Sequence, residues 1–112
     1  MRKLEIVIRP EKLESLKALL DENNVNGLMI TNIMGYGHQK GHKKYYRGAE
    51  YNVNLLPKVK VETIIHKEIA EPLIDKIVAE IQTDTYGDGK IFVYDVEDVV
   101  RIRTGEHGSD AV

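Results

Sequence analysis

The order in which strand-like and helix-like hydrophobic patterns follow one another constrains the fold of this chain more than any other feature. Apolar residues alternate with polar ones in the strand-like stretches and recur every three or four residues in the helix-like stretches. The elements predicted in chain order are a strand over 3–9, a helix over 11–23, a strand over 28–34, a third strand in two segments over 51–56 and 59–65, a helix over 68–81 and a strand over 90–94. This β-α-β-β-α-β order predicts an α+β, ferredoxin-like domain, with two helices on one face of a four-stranded antiparallel sheet.

Three further segments complete the predicted architecture. Pro72 lies about one turn into the second helical stretch, so the regular helix is expected after it. A short strand is predicted over 99–103, and the polar segment 104–112 is expected to be a mobile tail. A chain of 112 residues is expected to form a single domain, 1–112.

Both faces of the predicted sheet carry apolar side chains. Because side chains alternate along a strand, Ile91 and Val93 point to one face while Phe92 and Tyr94 point to the other. The strand over 28–34 has the same two-sided character. An apolar sheet face that no helix covers is typical of an interface, so we expect self-association; the alternative is scattered surface hydrophobic residues.

Composition argues against several classes of protein. The chain has 16 Lys and Arg against 18 Asp and Glu, a net charge of -2, which argues against a generally basic nucleic-acid binder. It has no cysteine, so disulfide and thiol chemistry are excluded. The first residues lack the apolar core of a signal peptide, and no run approaches the roughly 18 apolar residues of a spanning helix, so we expect a cytoplasmic protein.

The stretch Gly87-Asp88-Gly89-Lys90 is a candidate anion site. Two glycines allow a turn to approach a ligand closely and to direct backbone N–H groups at an anion, and Lys90 adds a positive charge. Arg101 and Arg103 are two residues apart, which on a strand places both guanidinium groups on one face. Such a set suits a polyphosphate, although no Walker motif is present; the alternative is a hairpin turn beside a solvated strand edge.

Residues 35–50 form a second candidate site, predicted to be a long loop without secondary structure. The segment combines glycines, four basic residues and several tyrosines, with Arg47 near its end. This composition suits protein recognition or single-stranded nucleic acid, and a solvated loop is the alternative. The four histidines, His38, His42, His66 and His107, show no zinc-ligand spacing and are interpreted as surface or loop residues.

Both candidate sites resemble signatures of the PII family of signal-transduction proteins. Residues Tyr46 to Tyr51 are similar to the tip of that family's flexible T-loop, and Gly87 to Val93 to its nucleotide-binding B-loop. The segments 39–42, 56–60 and 101–106 match as well, so the resemblance runs from the first strand to the C-terminal tail. It implies a homotrimer with a T-loop over about 37–55 and a B-loop over about 82–90.

The resemblance implies roles for individual residues. ATP or ADP would be bound between subunits by the following residues: Gly35, His38, Ile64, Thr83, Gly87, Asp88, Gly89, Lys90, Arg101 and Arg103. Gln39, through Mg2+ held with ATP, and Lys58, facing the distal carboxylate, would bind 2-oxoglutarate. A 2-keto acid can chelate Mg2+ because that ion prefers oxygen ligands.

The resemblance also implies protein partners. Arg47 would contact an ammonium transporter, and nitrogen-assimilation enzymes and regulators are further expected targets, so the membrane would be reached only through a transporter at its inner face. Tyr51 matches the position that is uridylylated or adenylylated in some branches of the family. Ala49 excludes serine phosphorylation at its position.

Three departures from the family pattern affect these expectations. Met29 stands where a Thr often contacts adenine, and His38 stands where an Arg commonly reaches phosphate. An imidazole there would make nucleotide binding pH-sensitive, since histidine titrates near pH 6.5. Residues 52–54 (Asn-Val-Asn) replace a usually acidic stretch, which affects the expected affinity for 2-oxoglutarate.

Two other functions stay open beside the regulatory sensor, which is not expected to be an enzyme. One is a slow ATP phosphohydrolase, although the sequence shows no evident base to activate water. The other is a ferredoxin-like nucleic-acid-binding module with Phe92 and Tyr94 as stacking residues, although no RNP-type motif is present.

Overall fold

The computed structural model describes the backbone of residues 1–36, 43–46, 49–52 and 55–112, and the side chains of residues 1–36 and 55–112. Its elements in chain order are β1 (Arg2–Ile8), α1 (Leu13–Glu22), β2 (Met29–Tyr36), β3 (Lys43–Tyr46), β4 (Ala49–Asn52), β5 (Leu55–Ile65), α2 (Lys67–Ile81) and β6 (Gly89–Asp95). A short 3-10 helix, Pro10–Lys12, leads into α1, and another, Gly108–Ala111, lies near the C-terminus.

The main sheet has the strand order β2-β5-β1-β6, and its three strand pairs are antiparallel. The two central strands, β1 and β5, are the first and third of the β-α-β-β-α-β series. The predicted ferredoxin-like α+β fold is therefore confirmed.

The core lies between this sheet and the two helices. Every second residue is buried from Leu4 to Ile8 in β1 and from Val59 to Ile65 in β5, which gives the central strands one face toward the core. The helices contribute residues at helical spacing, and the largest buried side chains are Leu4, Ile6, Ile8, Leu16, Leu20, Val61 and Ile77. Thr63 is buried among them, and its hydroxyl donates to the carbonyl of Gly27 at 2.8 Å. The polar group is thus satisfied, as burial requires.

α2 corrects the prediction that the regular helix begins after Pro72, because it starts at Lys67 and continues through the proline. Pro72 is the sixth residue of the helix, so its missing N–H deprives only the carbonyl of Glu68, four residues earlier, of a helical partner. Both residues are exposed, so water can bond that carbonyl.

The third strand lacks the predicted break at 57–58, since β5 runs through Pro57. It begins at Leu55, and Tyr51 at the predicted start belongs to β4 instead. The pairing of β1 with β5 ends at Val59, whereas β2 continues to pair beyond it, with Met34 opposite Pro57. Pro57 thus has a neighbouring strand on one side only. Proline is tolerated at such an edge position, although it has no N–H to donate.

The prediction of a structureless loop over 35–50 is wrong for the backbone that the structure describes. β2 extends to Tyr36, and β3 pairs with β4 in a separate two-stranded sheet, with Lys44 opposite Tyr51. Strands are predicted from an apolar periodicity that burial imposes, and this segment has none.

The predicted strand over 99–103 is wrong as well. Val100 forms one isolated bridge with His107, and residues 102–104 form a turn. The segment after the turn contains hydrogen-bonded structure and a 3-10 helix. The expected mobility of 104–112 stays a prediction.

The sheet face away from the helices is half apolar, as predicted. Phe92 and Tyr94 pair with Glu5 and Lys3 and lie on this open face, while Ile91 and Val93 pair with core residues of β1. Met29, Phe92 and Tyr94 remain between 43% and 57% exposed in the single chain. The centre of the face carries an ion pair between Lys3 and Glu62, 2.9 Å apart.

The longest helix, α2, has 15 residues. Within the described part of the chain, no helix combines the length and the apolar character needed to cross a membrane.

Candidate functional site

The B-loop is organised by the carboxylate of Asp88. The backbone N–H of Thr83 donates to this carboxylate at 2.7 Å, and the hydroxyls of Thr83 and Thr85 donate as well. The hydrogen bonds from Thr83 contribute most to lowering the pKa of Asp88 to about 2. Asp88 is thus an internal brace that holds the loop in one shape while ionised.

Two glycines give this loop its backbone path. Gly87 has φ 93° and Gly89 has φ 111°, a region that residues with a Cβ rarely adopt. A Cβ at Gly89 would lie 1.8 Å from the carbonyl oxygen of Val7 on the neighbouring strand. The second glycine therefore serves a close backbone approach at the start of β6.

Arg9 and Lys58 fasten the B-loop to the sheet. Arg9 donates from Nε to the carbonyl of Gly87 at 3.1 Å, and from Nη2 to the hydroxyl of Thr85 at 3.1 Å and to the carbonyl of Tyr86. Lys58 Nζ donates to the same Gly87 carbonyl at 2.6 Å. Partial burial, followed by the charge of Arg9, lowers the pKa of Lys58. Two cations thus converge on one neutral oxygen, and the ionised carboxylate of Asp88 lies beside them, with its Oδ1 3.8 Å from Arg9 Nε.

Gly35 and Lys90 complete this group. Gly35 lies against the stem of Lys58, since a Cβ there would come within 3.0 Å of Lys58 Cγ. The pairing of Gly35 with Leu56 and of Lys90 with Val7 places both on the open face of the sheet, as Lys58 is. We name as the turn cluster the residues that meet here: Arg9, Gly35, Lys58, Thr83, Gly87, Asp88, Gly89 and Lys90.

Ile64, Arg101 and Arg103 lie toward the opposite end of the sheet. Ile64 is six residues along β5 from Lys58, which corresponds to about 20 Å at the rise of an extended strand. Ile64, Met29 and Val99 line one groove of about 370 Å³ with the C-terminal Val112. The structure therefore separates Ile64 from Gly35 and Thr83 within one chain and brings it next to the segment that carries Arg101 and Arg103.

Arg101 and Arg103 lie on a compact turn, not on one face of a strand, which corrects the sequence-based prediction. We call residues 98–107 the arginine turn. Arg101 accepts from the N–H of Gly105 at 2.7 Å and donates its own N–H to the carbonyl of Glu106 at 2.9 Å. Gly105 has φ 72°, which reverses the chain. The Arg101 guanidinium also pairs with the Glu106 carboxylate at 3.0 Å.

Four predicted site residues fall in the T-loop. His38, Gln39 and Arg47 lie outside the described residues. Tyr51 lies in β4, where its backbone pairs with Lys44, and its side chain lies outside the described part of the chain. Across the residues that the structure does describe, no three His, Asp or Glu side chains come together to hold a metal ion.

Arg9 is the member of the turn cluster that the sequence analysis missed. It follows β1 directly and precedes Pro10, and Ile8 pairs with Gly89. The sequence shows that Arg9 lies at the end of a predicted strand. Only the strand register shows that this end lies beside the glycine loop.

Comparison with known proteins gives a consistent result. The family model for "Nitrogen regulatory protein P-II" matches residues 1–106. Proteins named Nitrogen regulatory protein P-II from Rhizobium meliloti (strain 1021), Mesorhizobium japonicum and Pasteurella multocida are 52%, 50% and 48% identical to this chain. Each alignment covers 112 residues, the whole of both sequences.

Proposed function

The chain belongs to the nitrogen regulatory protein P-II family, and on this premise we propose that it senses ATP or ADP together with 2-oxoglutarate. Family membership supports a regulatory role in nitrogen signalling, in which the protein acts on other proteins. The finer statements below concern the ligands, the assembly and the targets.

The observation that carries the proposal is the turn cluster. A loop braced by an ionised Asp88 holds two glycines at positive φ, and Arg9 and Lys58 converge on the carbonyl of Gly87. Backbone N–H groups beside clustered cations are a recurring way to bind phosphate. Lys90, exposed on the same end of the sheet, adds a further positive charge. The residues present therefore suit a nucleotide polyphosphate.

The arginine turn supplies the second half of the proposed site. Arg101 and Arg103 follow the far end of β6, a strand that spans about 20 Å from Gly89 in the turn cluster to Asp95. This separation supports a nucleotide that contacts the two groups on different chains. We propose that a homotrimer brings the arginine turn of one chain to the turn cluster of the next. The half-exposed apolar residues of the open face are suited to such an interface.

2-Oxoglutarate is the proposed second ligand, bound by Lys58 and Gln39. Lys58 carries the charge for a carboxylate, and its pKa is lowered first by partial burial and then by the charge of Arg9, a repulsion that a bound anion would relieve. Mg2+ would enter with ATP through Gln39, which lies outside the described residues. When bound, Mg2+ supplies oxygen coordination shared by phosphate and the keto acid.

The proposed output is the T-loop, residues 37–55. Its targets are ammonium transporters, contacted by Arg47, and enzymes or regulators of nitrogen assimilation, and Tyr51 is the proposed modification site. We place the protein in the cytoplasm, with recruitment to the inner membrane face through a transporter. A ligand changes this output only if it binds the two loop states with different affinity.

Calorimetry and sedimentation test the proposal. We expect Mg-ATP and ADP to bind, 2-oxoglutarate to release heat only in the presence of Mg-ATP, and sedimentation to give the mass of three chains. Lys90→Ala should weaken nucleotide binding. A monomer at working concentration, or no heat with either nucleotide, would overturn the proposed site. ATP hydrolysis that is lost in Lys90→Ala would favour the phosphohydrolase alternative.

A further inference from the structure

The arginine turn is held at its base by a contact between Asp98 and His107. His107 Nδ1 lies 2.8 Å from Asp98 Oδ2. The other carboxylate oxygen of Asp98 accepts from the N–H of Gly108 at 3.0 Å and from the N–H of Val99 at 2.8 Å. One carboxylate thus bonds to both arms of the turn.

The backbone shows the same closure. Gly108 donates its N–H to the carbonyl of Val99 at 2.9 Å, and Val100 and His107 form an antiparallel bridge. Gly105 and Gly108 have φ of 72° and 71°, so the chain reverses at the tip and turns again directly after His107. Arg101 and Arg103 lie between these two closures, and their direction depends on both.

We propose that His107 and Asp98 form a clamp that positions the arginine turn, and that this clamp sets the affinity of Arg101 and Arg103 for nucleotide phosphates. The inference rests on the proposed function, since it assigns positioning residues to the same site. His107 and Asp98 touch no ligand in this scheme. They act by keeping the two guanidinium groups where a phosphate can meet them, because ordering them in advance lowers the cost of binding.

The clamp joins an imidazole to a carboxylate. The hydrogen bond from His107 is the largest cause that lowers the pKa of Asp98, which favours the ionised carboxylate as the acceptor. The other charged groups along the two arms are Glu97, Arg101, Arg103, Glu106 and Asp110, of which Arg101 and Glu106 bond to each other.

The size of the effect follows from exposure. The side chains of His107 and Asp98 are 66% and 47% exposed, and exposed pairs contribute little. We therefore expect His107→Ala to weaken Mg-ATP binding about two- to fivefold. His107→Asn keeps a donor near the place of Nδ1, so it should bind Mg-ATP more tightly than His107→Ala does.

Calorimetry with Mg-ATP tests the clamp on the full chain. The matched control is Glu14→Ala, which removes an exposed ion pair with Lys17 on α1 and should leave the affinity for Mg-ATP unchanged. Weaker binding by His107→Ala that His107→Asn restores in part supports the clamp. Unchanged binding by His107→Ala, or no recovery in His107→Asn, overturns it.

Trypsin cleavage after Arg101 and Arg103 gives a readout that needs no nucleotide. A loosened turn should be cut faster in His107→Ala, and in Glu14→Ala the rate should stay at the wild-type value. If the wild type binds no nucleotide, the proposed function fails, and with it the claim on affinity. The cleavage rates then decide the clamp alone: a faster cut supports it, and an equal rate overturns it.

Discussion

Adding one methyl group at Gly89 tests whether the B-loop is fixed by backbone geometry. In Gly89→Ala, the new Cβ would lie 1.8 Å from the carbonyl oxygen of Val7, 2.9 Å from the carbonyl carbon and 3.2 Å from Ile8 Cα. A relaxed carbon–oxygen contact is about 3.3 Å or longer, so the start of β6 must move away from β1 by about 1.5 Å. Since both partners are backbone, no side-chain rotation relieves the collision.

The cost has two parts. Forcing a residue with a Cβ to φ 111° costs about 1–3 kcal/mol. Separating the ends of β1 and β6 loses ladder hydrogen bonds worth about 1 kcal/mol each. We expect the free energy of unfolding to fall by about 3–5 kcal/mol, a large part of the roughly 5–15 kcal/mol that a small domain has. Nucleotide affinity should fall in parallel, because Gly87 and Asp88 move with the strand.

Gly105→Ala and Gly27→Ala are the matched controls. Gly105 has φ 72° and open space around its Cβ position, so its substitution isolates the backbone strain at about 1–2 kcal/mol. Gly27 has open space and no positive φ, so alanine there should be neutral or slightly stabilising.

Urea unfolding followed by circular dichroism, at one fixed chain concentration, measures the change in unfolding free energy of each of the three variants relative to wild type. If the loss of unfolding free energy in Gly89→Ala is within about 1 kcal/mol of the loss in Gly105→Ala, the close approach of the strands does not restrict residue 89.

Three further predictions concern the loop and the core. The pKa of Asp88 is depressed to about 2 in the folded chain, so its ionised form adds stability above its ordinary pKa of 3.8, and this is lost as pH falls toward 2. The difference in unfolding free energy between wild type and Asp88→Asn should therefore be constant above about pH 5 and shrink as pH falls through about 2, as acid titrations of both will show. Arg9→Met removes three hydrogen bonds to residues 85–87 and should weaken Mg-ATP binding by about fivefold or more in calorimetry. The matched control is Lys12→Met, at a half-exposed position of the 3-10 helix before α1, which should leave Mg-ATP binding unchanged. Thr63→Val leaves the Gly27 carbonyl without its 2.8 Å partner and should cost about 1–2 kcal/mol in urea unfolding; a neutral result would mean that water replaces the hydroxyl.

The sequence predicts the main sheet and the helices because burial drives their periodicity. β1 and β5 alternate buried and exposed positions, and this is the pattern that the residue types display. The same reasoning misses β3 and β4, which form a separate hairpin whose sequence has no apolar period. It also misplaces the start of α2, since Pro72 costs little where its lost carbonyl partner is exposed.

The sequence also predicts only part of the candidate site. The glycines and Lys90 are local signals, and the sequence predicts that they belong together. Arg9 enters the site only through the pairing of Ile8 with Gly89, a register that the sequence does not reveal. The two-residue spacing of Arg101 and Arg103 indicates a shared face only if the segment is a strand, and Gly105 at positive φ makes it a turn instead.

The separation of the two halves of the site links ligand binding to assembly. The turn cluster and the arginine turn lie toward opposite ends of a sheet whose strand β6 is about 20 Å long, so on the proposed arrangement one nucleotide meets them on different chains. A nucleotide that bridges two chains binds the assembly better than the separated chains, and it must stabilise the assembly by the same free energy. On the proposed arrangement, nucleotide concentration therefore shifts the dissociation of the trimer. A variant that weakens only the arginine turn should reduce this shift while leaving the stability of the single fold unchanged.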